Sequence, residues 1–199
     1  MTRALALLLS LSACEGSHHS DWSKVAESQA SSSGVKLPML VPDAQLKTFL
    51  PERLGGRLGE SPQGTMTRMG NRALSEATRS YRGGPASETG AVELKIADAW
   101  LEPRATQAIR SLADTEFALG GTTLLGSASR PERLVLPGAV GYVRYDEDAR
   151  QAQAQVLVGG RFIASATVAQ AEDAQEAAQA LRSLDTLGLA RLAQAQAQE

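Results

Sequence analysis

The sequence has 199 residues, of which 20 are Lys or Arg and 22 are Asp or Glu, so its formal net charge is -2. The arginines are interleaved with acidic residues, whereas a nucleic-acid-binding domain is expected to carry a basic stripe. Aromatic residues make up only 4% of the chain, too few for a platform that stacks single-stranded nucleic acid. We therefore expect no nucleic-acid partner.

The amino-terminal segment has the pattern of a secretion signal. Arg3 precedes an apolar run over residues 4–11, and small residues precede Cys14, which is the order found in signal peptides. The run is too short to span a bilayer, which takes about 20 apolar residues. We therefore predict that residues 1–13 are a signal peptide.

Cys14 is the only cysteine of the chain and ends the run Leu11-Ser12-Ala13-Cys14. This run resembles the lipobox of bacterial lipoproteins. The resemblance implies that the chain is cut before Cys14, that its thiol carries acyl chains such as palmitate, and that the protein is anchored to a membrane of the cell envelope. Two alternatives stay open: an ordinary signal peptide with a chance cysteine, and a cytosolic protein with an apolar start.

Glu15 bears on which membrane would hold the protein. In the lipoprotein sorting pattern, aspartate directly after the cysteine favours the inner membrane, so the resemblance implies the outer membrane, facing the periplasm. Disulfides are common in such compartments. Because the only thiol would carry lipid, we expect the fold to be held by core packing without a disulfide.

Residues 14–42 are predicted to be a flexible tether, since their small polar side chains cannot bury enough apolar surface to offset ordering. A coil of about 28 residues spans roughly 30 Å. His18 and His19 lie in this segment, where they could hold a transition metal weakly with Glu15 or Asp21 as an oxygen ligand. Plain linker polarity is the alternative that we adopt.

Residues 43–192 are predicted to form one domain, because about 150 residues is a common domain size. Helices are predicted from Asp43 as N-cap to Pro51, from Pro103 to Gly120-Gly121, and over 173–184. Strands are predicted over 66–82, 92–96, 122–129, 139–145, 152–158 and 161–168. A tight hairpin is predicted at Gly159-Gly160, and the Ala/Gln-rich tail, 193–199, reads as a frayed helix end.

The predicted elements indicate an α+β fold, with a mostly antiparallel sheet of about five to six strands and helices packed on it. Ala152 and Ala154 are small residues on one sheet face, which lets a helix approach closely. The motifs Tyr81-Arg82-Gly83-Gly84, Leu94-Lys95-Ile96-Ala97-Asp98 and Val156-Leu157-Val158-Gly159-Gly160-Arg161-Phe162-Ile163 resemble domains of uncharacterised bacterial envelope lipoproteins. That resemblance covers most of residues 49–192 and implies no activity, because these motifs are strand and turn signals.

Few residues suggest catalysis. The predicted domain contains neither histidine nor cysteine, so triads of the Ser-His-Asp or Cys-His kind are excluded. The glycine pairs lack the spacing of phosphate-binding loops, and we expect no cofactor. The remaining candidates are the acids Asp98, Asp146 and Asp148, since paired carboxylates perform acid–base chemistry or bind calcium. The alternative, which we favour, is a strand end at Asp98 and a hairpin loop around Asp146 and Asp148.

Two classes of function follow from this sequence. We expect a lipid-anchored, non-catalytic domain that binds an envelope protein or a cell-wall partner, for example by strand addition at a sheet edge. The alternative is a cell-wall enzyme that uses carboxylates only, which requires two acids facing each other across a groove. A weak binder of a metal or a small ligand is a further alternative.

Overall fold

The computed structural model describes residues 39–69, 72–83, 90–99, 104–111 and 131–197. The helices are α1 (Asp43–Lys47), α2 (104–111), α3 (Gln175–Arg182) and α4 (Thr186–Gln196). The strands are β1 (Arg53–Leu54), β2 (Arg57–Gly59), β3 (Gln63–Met69), β4 (Arg72–Arg82), β5 (Val92–Asp98), β6 (Glu132–Leu136), β7 (Ala139–Asp146), β8 (Gln151–Val158) and β9 (Phe162–Ala169). Within these ranges no helix is long and apolar enough to cross a membrane.

The strands of the described ranges form one nine-stranded sheet in the order β1-β2-β4-β5-β9-β8-β7-β6, with β3 also paired to β4. Every pairing is antiparallel. Strands β2 and β3 lie end to end along one edge of β4, because Leu58 is opposite Arg82 and Gln63 is opposite Thr78. The antiparallel α+β class predicted from the sequence is confirmed.

The sheet has more strands than the five to six predicted, for three reasons. The segment predicted as one strand over 66–82 is the hairpin β3–β4, in which Met69 is opposite Arg72. Gly55 and Gly56 have φ values of +53° and +82°, which suit a tight hairpin and join β1 to β2. Strand β6 lies between the strands predicted over 122–129 and 139–145, in a segment where no strand was predicted.

Two predicted elements cannot be compared with the structure. The strand predicted over 122–129 lies outside the described residues, as does the part of the second helix beyond residue 111.

One face of the sheet carries the core. Ala77, Ile96, Ala164 and Val156 stand in one register row across β4, β5, β9 and β8, and all four are buried. Helix α3 packs over β8 and β9 with its buried residues Ala177, Ala178, Ala180 and Leu181. Small side chains on both surfaces allow the close approach of helix and sheet that the sequence predicts.

The hairpin at Gly159-Gly160 is confirmed, since both glycines have positive φ and join β8 to β9. Helix α4 was not predicted. It begins after Asp185, whose carboxylate accepts a hydrogen bond from the Gly188 amide, as an N-cap residue does. Ala193, predicted to begin a frayed tail, is a buried residue of α4.

Helix α1 begins at Asp43, and Pro42 rather than Asp43 occupies the N-cap position. The Asp43 carboxylate lies 2.8 Å from Lys47 Nζ, an i,i+4 pair that supports the helix. Its hydrogen bond with Lys47 holds the pKa of Asp43 below its usual value. This short helix is therefore stabilised by a local ion pair in place of a side-chain cap.

Tyr81 fixes the chain that leaves α1. The buried Tyr81 hydroxyl donates to the Pro51 carbonyl at 2.7 Å, and Arg79 Nη1 donates to the carbonyls of Leu50 and Pro51 at 3.0 Å each. Burial disfavours the phenolate and raises the pKa of Tyr81 to about 12.

The substitution Tyr81→Phe should change how stability depends on pH. In the wild type, the folded-state pKa of about 12 exceeds the ordinary tyrosine value of 10.0, so the contribution of the neutral phenol is complete below pH 10 and is lost as pH rises towards 12. The variant should lose about 1 kcal/mol near neutral pH with its hydrogen bond and should show a shallower alkaline decline in urea unfolding. Tyr142→Phe, on the outer face, should retain the wild-type decline. Equal alkaline slopes for Tyr81→Phe and wild type would contradict the assignment.

Candidate functional site

One end of the sheet is defined by a register row that runs across seven strands. The row contains Met66, Ser75, Asp98, Phe162, Val158, Ala139 and Leu136. Because residues opposite each other in a sheet point to the same face, these side chains all lie on the face covered by helices. We call this edge of the molecule the Asp98 end.

A buried ion pair lies at the Asp98 end. Arg161 Nε lies 3.0 Å from Asp98 Oδ1, and Arg161 Nη2 lies 2.7 Å from Asp98 Oδ2. Both side chains are almost completely removed from solvent. The two parallel contacts are the bidentate arrangement in which an Arg–carboxylate pair is strongest.

Strand pairing brings these two residues together. Asp98 is the last residue of β5 and is opposite Phe162, the first residue of β9, while Arg161 ends the turn that contains Gly159 and Gly160. The backbone also closes this junction, because the Ala99 amide donates to the Arg161 carbonyl at 3.2 Å. The register of β5 and β9 therefore determines the geometry of the ion pair.

The ion pair also holds the beginning of the described chain. The Val41 amide donates to Asp98 Oδ2 at 2.8 Å, and Arg161 Nη2 donates to the Met39 carbonyl at 2.7 Å. Val41 itself is buried in the core. We call Asp98, Arg161 and the backbone of residues 39–41 the amino-terminal clamp.

Ser75 is opposite Asp98 in the register of β4 and β5. Its hydroxyl is buried, and Ser75 Oγ has no hydrogen-bond partner in the part of the chain that the structure describes. An unsatisfied buried hydroxyl costs about 1–3 kcal/mol. Ser75 therefore weakens the packing beside the clamp, whereas Asp98 and Arg161 satisfy each other.

Asp146 and Asp148 lie far from Asp98. Asp146 is opposite Gln151, which is opposite Ala169 at the far end of β9, and Asp98 is opposite the first residue of that strand. Seven residues of strand separate the two positions, or about 23 Å at the usual rise per residue. Glycosidase carboxylates are about 5–9.5 Å apart, so Asp98 and Asp146 cannot act as such a pair.

The acids of the β7–β8 turn have local roles. Asp146 Oδ1 accepts a hydrogen bond from the Ala149 amide at 2.9 Å, which stabilises the turn as Asp side chains commonly do. Asp148 is exposed in the same turn. Within the described ranges, no group of three or more His, Cys, Asp or Glu residues could hold a metal ion.

The residues of the predicted tether cannot be placed. Cys14, Glu15, His18, His19 and Asp21 lie outside the described residues. Their predicted roles in lipid attachment and weak metal binding stay predictions.

A shallow pocket of about 170 Å³ lies beside the Asp98 end. It is lined by Leu136, Pro137, Arg182, Leu184, Asp185, Thr186 and Leu187. Thr186 Oγ1 donates to the Pro137 carbonyl at 2.8 Å and so joins the start of α4 to the β6–β7 turn. Small-molecule pockets usually have about 300–1,000 Å³, so this pocket is small for an organic ligand.

The outer face of the sheet, opposite the helices, is polar and internally bonded. Tyr142 Oη donates to Gln155 Oε1 at 2.9 Å, and Arg144 Nε donates to Gln153 Oε1 at 3.0 Å. On the neighbouring strands Lys95 Nζ lies 2.6 Å from Glu76 Oε1. Cross-strand contacts of this kind stabilise a sheet, so this face has a structural explanation that requires no ligand.

The sequence did not single out Arg161 or Val41 as functional. Arg161 was predicted as the first residue of a strand, and Val41 as part of the tether. The sequence contained one signal for the ion pair: Asp98 ends one predicted strand, and Arg161 begins another. Pairing them requires knowing that β5 and β9 are neighbours, although β6, β7 and β8 lie between them in sequence.

Comparison with protein-family models, curated proteins and solved structures finds no match to this chain. Function is therefore inferred from the residues and their geometry.

The substitution Asp98→Asn should destabilise the domain strongly, because it leaves the Arg161 charge buried without its counterion. Removing one partner of a buried pair costs about 3–5 kcal/mol, measurable by urea unfolding. Ser75→Ala, at the neighbouring register position, should be neutral or stabilising because it removes an unsatisfied hydroxyl. Glu76→Gln, which breaks an exposed pair with Lys95, should cost less than about 1 kcal/mol. A loss for Asp98→Asn as small as that for Glu76→Gln would show that the clamp does not stabilise the fold.

Proposed function

We propose that this protein is a lipoprotein of the bacterial envelope, anchored by acyl chains on Cys14, whose domain is a non-catalytic binding or accessory module. The outer membrane, facing the periplasm, is the site that Glu15 favours. The observation that carries the proposal is the amino-terminal clamp, which binds the described residues nearest to Cys14 to the ends of the two central strands β5 and β9. Its partner is an envelope protein or a component of the cell wall.

The clamp suits a domain that is held at its amino-terminal side. Acyl chains contribute about 0.8 kcal/mol of membrane binding per buried methylene, so a lipid anchor resists removal and transmits any pull to the chain. Helix α1 has only five residues, and helices this short are marginal without tertiary contacts. The clamp connects residues 39–41 directly to Asp98 and Arg161, so a pull on the chain acts on two central strands and not on α1 alone.

The positions of the candidate acids favour a non-catalytic domain. Asp98 is engaged by Arg161 and by the Val41 amide, and Asp146 is engaged by the Ala149 amide. Each of these carboxylates therefore has a structural role, and the strand register separates the two by a distance too large for joint catalysis.

The edge strand β3 gives the binding role a location. Its residues from Gln63 to Thr67 are all exposed and include no charged residue and no proline, and Arg68 is the one charged residue of the strand. Natural proteins usually protect such edges with charges, proline or short strands. The uncharged stretch from Gln63 to Thr67 could accept an extended segment of a partner, whose backbone would continue the sheet.

The substitution Cys14→Ser should abolish lipid attachment and release the protein from the membrane fraction. Labelled palmitate should be incorporated into the wild type and not into the variant, and intact-mass measurement of the wild type should show the loss of residues 1–13. Retention of those residues, or a free thiol at Cys14 in native material, would refute the lipoprotein assignment.

A photo-crosslinking amino acid placed at Thr65 in β3 should capture an envelope partner in living cells, because the partner strand would lie beside it. The same amino acid at Gln194, an exposed position on α4, is the matched control and should give no specific product. Capture at Thr65 should decrease when Cys14 is also replaced, since the domain would leave the membrane surface. Identical patterns at Thr65 and Gln194 would argue against strand addition.

A further inference from the structure

The exposed apolar side chains are unevenly distributed. Among the described residues, the large apolar side chains with substantial exposure are Met39 at 78%, Val135 at 64%, Leu58 at 63%, Leu187 at 47% and Met66 at 44%. Single exposed apolar residues are normal on protein surfaces. Their placement at one end of a molecule is therefore the informative feature.

Four of these five residues lie at the Asp98 end. Met66 belongs to the register row that defines this end, and Val135 precedes Leu136, the last member of the row. The Met39 carbonyl is bound to Arg161. Leu187 lies against the β6–β7 turn, where a Cβ added at Gly138 would be 3.8 Å from Leu187 Cδ2.

Leu58 lies at the opposite end. It is opposite Arg82, seven positions beyond Ser75 on β4, which corresponds to about 23 Å along the strand. Leu58 is also opposite Arg53 on its other side. Leu58 with Arg53 and Arg82 forms a second surface, at the end opposite Asp98, that has the chemistry to contact anionic lipid. Leu58 is therefore the control position in the labelling experiment described below.

The turns at the far end of β7, β8 and β9 are acidic. Asp146, Glu147 and Asp148 lie in or beside the β7–β8 turn, where Arg150 is the one basic residue, and Glu172 and Asp173 follow β9. A bilayer that contains anionic lipids has a negative surface potential. This potential attracts basic groups and repels acidic groups within a Debye length of the surface. These turns therefore favour an orientation in which the far end points away from the membrane.

The predicted tether would meet the described chain at the apolar end. Met39 is 25 residues after Cys14, and a flexible chain of that length has a root-mean-square span of roughly 28 Å. A lipid on Cys14 would therefore keep the Asp98 end close to the headgroups. Weak contacts are strengthened by such a tether because they form at a high effective concentration.

We propose that the Asp98 end of the domain rests on the lipid surface, with Met39, Met66, Val135 and Leu187 in contact with the interface. This orientation rests on the proposed lipid anchor at Cys14. The amino-terminal clamp fixes Met39 to the rigid sheet, so that the attachment point and the apolar contacts move as one body. The acidic turns then face away from the bilayer.

The orientation can be tested with the lipidated full-length protein in vesicles of phosphatidylethanolamine and phosphatidylglycerol. Leu187→Cys and Leu58→Cys are prepared separately and labelled with an environment-sensitive dye, since the acylated Cys14 thiol cannot react. The dye at position 187 should show a blue-shifted emission and quenching by lipid-borne quenchers, and the dye at position 58 should report water. Val135→Cys is a second test position at the Asp98 end, in case labelling at 187 disturbs the pocket.

The outcomes separate the orientation from the anchor. If the unlabelled wild type floats with the vesicles but both dyes report water, the lipoprotein assignment holds and the orientation is wrong. A dye that enters the lipid at position 58 and not at 187 also overturns it, in favour of the opposite end. If the wild type fails to float and its thiol is free, both proposals fail. Shielding of position 187 in cells but not in vesicles would assign the apolar end to a protein partner and overturn the lipid contact.

Discussion

The ion pair between Asp98 and Arg161 is the interaction on which the arrangement of this domain depends. Removing two charges from water is costly, and a buried pair adds little net stability compared with apolar residues of similar volume. What the pair contributes is a requirement for one geometry, because each charge is stable in the core only when its partner is present. Met39 and Val41 add backbone hydrogen bonds to the same two side chains, so the path of the incoming chain is subject to the same requirement.

The requirement for one geometry applies at the junction between β5 and β9. The strands form two groups, β1–β5 and the meander β6–β9, that meet at the pairing of β5 with β9. A shift of one residue at this junction would turn the side chains of a strand to the opposite face, which would separate the Asp98 carboxylate from Arg161. Alanines such as Ala164 and Ala166 on β9 offer little shape to distinguish one register from another. We interpret the ion pair as the group that distinguishes them.

The sequence predicts the features that depend on local pattern and misses those that depend on distant contacts. Alternation identifies β5, β8 and β9, and the glycine pair at 159–160 identifies their hairpin, because both signals lie within a few residues. The alternation that predicted a strand over 66–82, at Ala77, Arg79 and Tyr81, belongs to β4 alone, so it does not reveal that the chain reverses between β3 and β4. Helix α4 buries small residues such as Ala190 and Ala193, which provide a weak amphipathic signal. Asp98 was recognised as a strand-end acid, but its partner is 63 residues away in sequence and could be found only from the strand order.

The proposed orientation gives the sheet a direction relative to the membrane. If the Asp98 end contacts lipid, the strands stand roughly upright on the bilayer, because the register row that defines this end crosses them from side to side. Met66 lies on this row in the middle of β3, so residues 63–66 of the exposed edge run outward from the surface, about 10 Å at the rise of an extended strand. A partner strand added there would also stand upright, reaching from the headgroups towards the acidic turns. The lipid contact and the binding edge therefore share Met66 and otherwise use different surfaces of the domain.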